Sequence, residues 1–338
     1  MTIEQKIKRI VYGLALGDSL ASPSADHRVS LLAPKRILRM RTLTEYADNL
    51  LQTTRPTPYT HAQPGFLLNP APSDDAEWFT FTALAHLDSS KSIEQKWREL
   101  AVSRDQVRGR TGTKIALRNL DQGSSALHSG HDNPHYFDDI ACIRAVSAGI
   151  LADGSIERAV DRAGVDAKIT HSEDGVWAAQ AVAALFAGLL SGKTREESVS
   201  IALSQFPSNS WGKRVIEKAL AHAEGESSPI ARSLKLEVEC VDRIYSYGIS
   251  APETLSLLFA HLLNAKSGEE LMLSTFLHKR NLDALPALAG AVASVSFDDQ
   301  WIPESYLNTP LLLDGVCIAG LKGVDLADVS KQLASTLN

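Results

Sequence analysis

The stretch SEDGVWAAQAVAALFAGLLSG, residues 172–192, decides the fold. Ser172-Glu173-Asp174 is a polar helix opening and Gly192 a helix stop. Between them, apolar residues surround almost the whole circumference, so the helix from Asp174 to Leu190 belongs at the centre of a core rather than on its surface. A central helix needs others around it, and the chain supplies them. Ile7, Ile10, Val11 and Leu14 have helical spacing in a segment, Ile7 to Leu16, that halts at Gly17-Asp18-Ser19. Further helices are predicted over Arg36–Thr53, Ala76–Leu87, Ser92–Ser103, Thr111–Leu120, Tyr136–Asp153, Ser155–Ala163, Arg195–Ser204, Gly212–Glu224, Ala251–Leu263, Gly268–Phe276, Asp283–Val295 and Leu326–Leu337. Strand alternation is scarce, with Leu311–Leu313 a short apolar run that fits strand or coil. No repeat recurs at a fixed period, which argues against a solenoid. The longest non-helical segment, Thr53 to Ser73, holds five prolines together with Tyr59, Phe66, Leu67 and Leu68, a composition that favours an ordered loop over a linker. The expectation is one compact all-α domain over residues 1–338, without a hinge.

Composition narrows the function. The 338 residues are 44% hydrophobic and 22% charged, and 34 basic against 40 acidic side chains leave a net charge of −6. That balance argues against bulk-charge binding to nucleic acid or anionic lipid. Cys142, Cys240 and Cys317 are odd in number and far apart, supporting neither a disulfide framework nor a thiolate zinc site. No signal-peptide h-region and no run of 18 apolar residues occurs, so a soluble cytoplasmic protein is expected, with no membrane partner. The G-x-G-x-x-G, P-loop, G-x-S-x-G and H-E-x-x-H patterns are missing, and with them the usual support for redox, kinase, serine-hydrolase and zincin chemistry.

Two short groups carry chemistry. Ser73-Asp74-Asp75 stands where the proline-rich loop meets a helix. Such a group can simply cap that helix. It can also hold a hard cation, because Mg²⁺ and Mn²⁺ take oxygen ligands and because adjacent carboxylates repel unless a cation or a shared proton relieves them. Asn281-Leu282-Asp283 opens another helix, and if extended it presents two oxygens to one side; an Asp at a helix start is otherwise a cap. Asp18 fits a helix-end or turn residue. His171 fits a core, capping or ligand-contacting role, and Tyr59 and Phe66 suit base stacking better than Trp78, Phe79 and Phe81, which fit a core. Asp138 and Asp139 fit a solvated helix start or supporting carboxylates.

Taken in order, these pieces resemble the ADP-ribosylglycohydrolase superfamily, which includes ADP-ribosylarginine hydrolases and dinitrogenase reductase-activating glycohydrolases. The resemblance runs from about Ile7 to Pro303. It rests on Gly17-Asp18-Ser19-Leu20-Ala21-Ser22-Pro23-Ser24-Ala25 for a G-D-x-x-G-x-P-x-E segment, and on Ser73-Asp74-Asp75-Ala76 for T/S-D-D-T. Gly112-Thr113, Ser129-Gly130 and Arg144-Ala145 follow, then Thr170-His171-Ser172. Last comes Lys279-Arg280-Asn281-Leu282-Asp283-Ala284 for G-G-D-x-D-T, ahead of the small-residue helix from Pro286 to Ala291.

The resemblance implies an all-α glycosidase that cleaves a ribosyl, foremost an ADP-ribosyl, N- or O-glycosidic bond with one or two Mg²⁺ or Mn²⁺ ions. It implies Asp74 and Asp75 as catalytic residues and Ser73, Asp74, Asp75, Asn281 and Asp283 as metal ligands. Asp18, Tyr59, Phe66, Gly112, Thr113, Ser129, Gly130 and His171 are the substrate-binding candidates. The chain departs from the pattern at Ala25, Ala76, Lys279, Arg280, Asn281 and Ala284, losing one anionic ligand and one hydroxyl, so weaker metal binding is expected. Lys279 and Arg280 suit either solvated surface charge or pairing with phosphates. The departures leave room for two alternatives: a member that binds ADP-ribose without turnover, and a hydrolase of another ribosyl glycoside such as a modified nucleoside.

Overall fold

The computed structural model describes residues 1–21, 72–242 and 249–337, and among these it contains sixteen α-helices and no strand. The predicted helix Arg36–Thr53, the proline-rich loop with Tyr59 and Phe66, and Pro23 to Ala25 lie outside the described residues. The apolar run Leu311–Leu313 makes a single bridge, Leu312 to Asp325, rather than a strand.

At the centre lies α8 (Glu173–Leu190), buried on nearly every side as its composition requires. It packs on α6 (Ile140–Ile150), α7 (Ile156–Thr170) and α9 (Arg195–Leu203). The second major contact joins α1 (Ile3–Ala21) to α14 (Leu285–Ser296). Glycine makes it possible. A Cβ at Gly13 would lie 2.3 Å from the Gly290 carbonyl oxygen, and one at Gly17 would lie 2.0 Å from that of Pro286. Backbones this close leave no room for side chains. Gly17 is therefore a packing residue rather than a stop, and α1 continues through Asp18 and Ser19 to Ala21, correcting the expected end.

The remaining helices frame the site. They are α2 (Asp74–Leu87), α3 (Ile93–Val102), α4 (Thr111–Asp121), α5 (Ala126–His131), α10 (Trp211–Ala223), α11 (Pro229–Glu239), α12 (Ala251–Asn264), α13 (Gly268–Thr275), α15 (Glu304–Leu307) and α16 (Leu326–Ser335). The helix predicted from Tyr136 begins only at Ile140, the one predicted from Asp283 begins at Leu285, and the one expected to stop at Ala163 reaches Thr170. Each late start places aspartates in the turn ahead of a helix.

Candidate functional site

The C-terminal end of α1 and the N-terminal ends of α2, α4, α6 and α12 converge with the turn before α14. Asp18 belongs to this meeting point. Although it lies inside α1, its carboxylate accepts hydrogen bonds from the backbone N–H of Ser73 (2.6 Å) and of Ala76 (3.2 Å), and the Ser73 hydroxyl also donates to it. Asp18 thus caps α2 from a neighbouring helix. Ser73 occupies the N-cap position but makes no capping bond of its own; its hydroxyl lies 3.2 Å from Asp74 Oδ1. The simple capping role open to the Ser-Asp-Asp group therefore falls to the buried carboxylate of Asp18.

Asp74, Asp75 and Asp283 come together, each offering a carboxylate oxygen within 4.8 Å of the others. Asp75 is fully buried, and among the described residues neither of its oxygens finds a hydrogen-bond donor. Burial, then repulsion from Asp74, Asp18 and Asp283, pushes its carboxyl well above the usual range, outweighing the opposing pull of Arg110.

Arg110 was absent from the sequence candidates. It immediately precedes α4, and its side chain is only 8% exposed. One arm of its guanidinium, Nη1, pairs with Asp139 and lies 3.8 Å from Asp138 Oδ1. The other, Nη2, lies 2.6 Å from Asp283 Oδ2 and 3.8 Å from Asp75 Oδ1. Burial opposes its charge, but the surrounding aspartates, Asp283 first, hold its pKa above the ordinary value.

Asp138 and Asp139 are fully buried, which excludes a solvated helix start. Asp138 Oδ1 lies 2.9 Å from His171 Nε2 and accepts from the Ile140 N–H at 3.1 Å. Burial pushes the Asp138 carboxyl up, but His171 and Arg110 more than offset this and hold it below its ordinary value. Asp139 Oδ2 accepts from Thr254 Oγ1 at 2.5 Å. A buried polar chain continues behind His171: its Nδ1 lies 2.7 Å from Thr170 Oγ1, which accepts from Arg144, and Arg144 in turn pairs with Asp166 at 2.7 Å. His171 thus links Asp138 to the Thr170–Arg144–Asp166 chain. Gly112 is placed against the same carboxylate, since a Cβ there would lie 2.7 Å from Asp138 Oδ2, and Thr113 is buried next to it.

Other candidates are used elsewhere. The Ser129 hydroxyl donates to the carbonyls of Ile169 (2.8 Å) and Ala126 (3.0 Å), while a Cβ on Gly130 would lie 2.4 Å from the Lys168 carbonyl oxygen. Both residues join α5 to the end of α7. Residues 279–281 form a 3-10 turn, not the extended segment expected. That geometry sends the Asn281 amide to Glu253 Oε1 at 2.7 Å, leaving its carbonyl oxygen as the only atom it can offer a cation. Arg280 pairs with the same Glu253 carboxylate at 3.4 Å, so it is neither simply solvated nor committed to phosphate, and the Lys279 side chain lies outside the described atoms.

The fold and this cluster define an all-helical protein that gathers hard-oxygen donors at converging helix ends. The sequence model of the ADP-ribosylglycohydrolase family matches residues 1–332, and the chain belongs to that family. Membership supports glycohydrolase activity on ADP-ribosyl groups in general. Among solved structures, one described as an ADP-ribosylglycohydrolase-related protein complex matches with a TM-score of 0.63 at 16% identity, covering 99% of each chain, a likeness of fold. None of the curated proteins matches.

Proposed function

We propose that the chain is a glycosidase that hydrolyses a ribosyl, foremost an ADP-ribosyl, N- or O-glycosidic bond with the help of Mg²⁺ or Mn²⁺. The observation carrying this reading is Asp75, a fully buried carboxylate with no hydrogen-bond donor among the described residues, beside Asp74 and Asp283. Three carboxylates so close together fit a hard divalent cation by the chemistry of their oxygens. Asp74, Asp75 and Asp283 would hold it, with Ser73 and the Asn281 carbonyl as neutral oxygens. When bound, the cation supplies positive charge that orients ribose hydroxyls and acidifies the attacking water. Asp74, the least buried of the three, would accept that water's proton. Asp18 holds the Asp74–Asp75 turn at the start of α2, and the His171–Asp138 pair lies on the other side of Arg110.

The test is release of free ADP-ribose from N-linked (arginine) and O-linked (ester) conjugates with Mg²⁺ or Mn²⁺ present. Turnover by the purified chain is expected, with at least a hundredfold loss in Asp75→Ala and loss on chelation. Release that survives both treatments would sink this reading. A second reading, binding of ADP-ribose without turnover, is favoured by the Asn281–Glu253 bond and by Ala284, which offers no hydroxyl. Calorimetric ADP-ribose binding with no product from any conjugate would support it.

A further inference from the structure

The carboxylate cluster has two faces, and Arg110 joins them. On one side Asp138 is held by His171 and the Ile140 N–H, and Asp139 by Thr254; both carboxylates are also paired to, or close to, Nη1 of Arg110. On the other side are Asp74, Asp75 and Asp283, with Nη2 of Arg110 2.6 Å from Asp283 Oδ2. The guanidinium therefore occupies the ground between the faces. Paired metal ions sit about 3.5–4 Å apart and share carboxylate oxygens between them. A second divalent ion next to one held by Asp74, Asp75 and Asp283 would have to share Asp283 with Arg110, whose Nη2 lies 2.6 Å from its Oδ2.

We propose that the buried Arg110 guanidinium is a built-in monovalent cation that stands in place of a second divalent ion, so that the cluster admits one divalent cation and not two. This rests on the metal-dependent reading above and specifies the charge arrangement of that site. An arginine cannot be deprotonated at any ordinary pH, and its planar fork suits two carboxylates at once. It supplies a positive charge that needs no metal and does not dissociate. It also repels the ion beside it, so that ion binds more weakly than the carboxylates alone would hold it.

Equilibrium titration with Mn²⁺ alone, read by electron paramagnetic resonance, tests the proposal in the full chain. Wild type is expected to bind one Mn²⁺ with the spectrum of an isolated ion. Arg110→Gln is expected to bind two with a spin-coupled spectrum, or one at least tenfold more tightly. Two ions in wild type, or a variant indistinguishable from wild type in number and affinity, overturns the inference while leaving the hydrolase reading standing. No ion in wild type but one or more in Arg110→Gln supports Arg110 as the resident cation and overturns the metal-dependent reading. No ion in either overturns both. Because loss of Arg110 strands buried carboxylates and can prevent folding, anomalous scattering from wild-type crystals in Mn²⁺ gives a variant-free readout. One peak with the guanidinium still on Asp139 and Asp283 is expected, and two peaks with the guanidinium displaced would refute it.

Discussion

Asp18 shows how a residue inside one helix can organise the start of another. Its carboxylate collects two backbone N–H groups and one hydroxyl at the start of α2 and thereby sets the direction of Asp74 and Asp75. Charge-assisted bonds of this kind contribute about 1.5–3 kcal/mol. Asp18→Ala is therefore expected to lower stability by about 2 kcal/mol in urea unfolding and to weaken Mn²⁺ binding, although Asp18 is not among the carboxylates gathered for the ion. Unchanged Mn²⁺ affinity in a folded Asp18→Ala protein would show that the turn holds its shape unaided. Asp74 and Asp75 were legible as candidates because adjacent acids at a helix start are conspicuous in a sequence, and Asp283 because it stands with Asn281 just ahead of another helix. Arg110 was not, because its four partners lie between 28 and 173 positions away along the chain. Asn281 was legible by type only, since the turn that sends its amide to Glu253 depends on α12.

Among the elements, the crossing of α1 and α14 does most to assemble the site, for it brings Asp18 and Asp283 to one end of the bundle. A Cβ at Gly13 or Gly290 would lie 2.3 or 2.0 Å from the opposing carbonyl oxygen, and backbone cannot rotate aside as a side chain can. Gly13→Ala should cost about 3 kcal/mol or prevent folding, overpacking of this kind being at the upper end of its usual range. Thermal unfolding checks this, and an unchanged melting temperature would mean that the two helices can separate freely. Helices with a one-sided or all-round apolar pattern were legible, α8 above all. The segment α11 was not predicted although Ser228 caps it, Pro229 opens it and Ile230, Leu234 and Val238 recur at helical spacing; the structure leaves that apolar stripe exposed and buries Arg232 instead. The true length of α7 was hidden by Gly164, which reads as a stop but makes room for Gln180 of α8.

For the whole molecule, folding excludes protons from two histidines. Burial, then His278 and Arg232, hold His261 well below its ordinary value, and burial lowers His86 to about 4. The unfolded chain protonates both near pH 6.5, so below that pH it binds protons that the folded chain does not. Stability is fully present above about pH 6.5 and falls as the pH drops toward 4, by roughly 1.4 kcal/mol per pH unit for each histidine that stays neutral. Urea midpoints at pH 7 and 5 should differ accordingly, and His86→Gln should reduce the difference; equal midpoints would refute the linkage. The all-helical architecture, the central place of α8, and the pair of acidic groups at two helix starts were determined by the sequence itself, because periodicity and capping are local properties. Tertiary structure alone decided that Asp18 would cap another helix, that Asn281 would turn to Glu253, and that Arg110 would lie among four aspartates. Those outcomes depend on Coulomb forces and close packing between segments distant in the chain, and neither leaves a periodic trace in the order of residues.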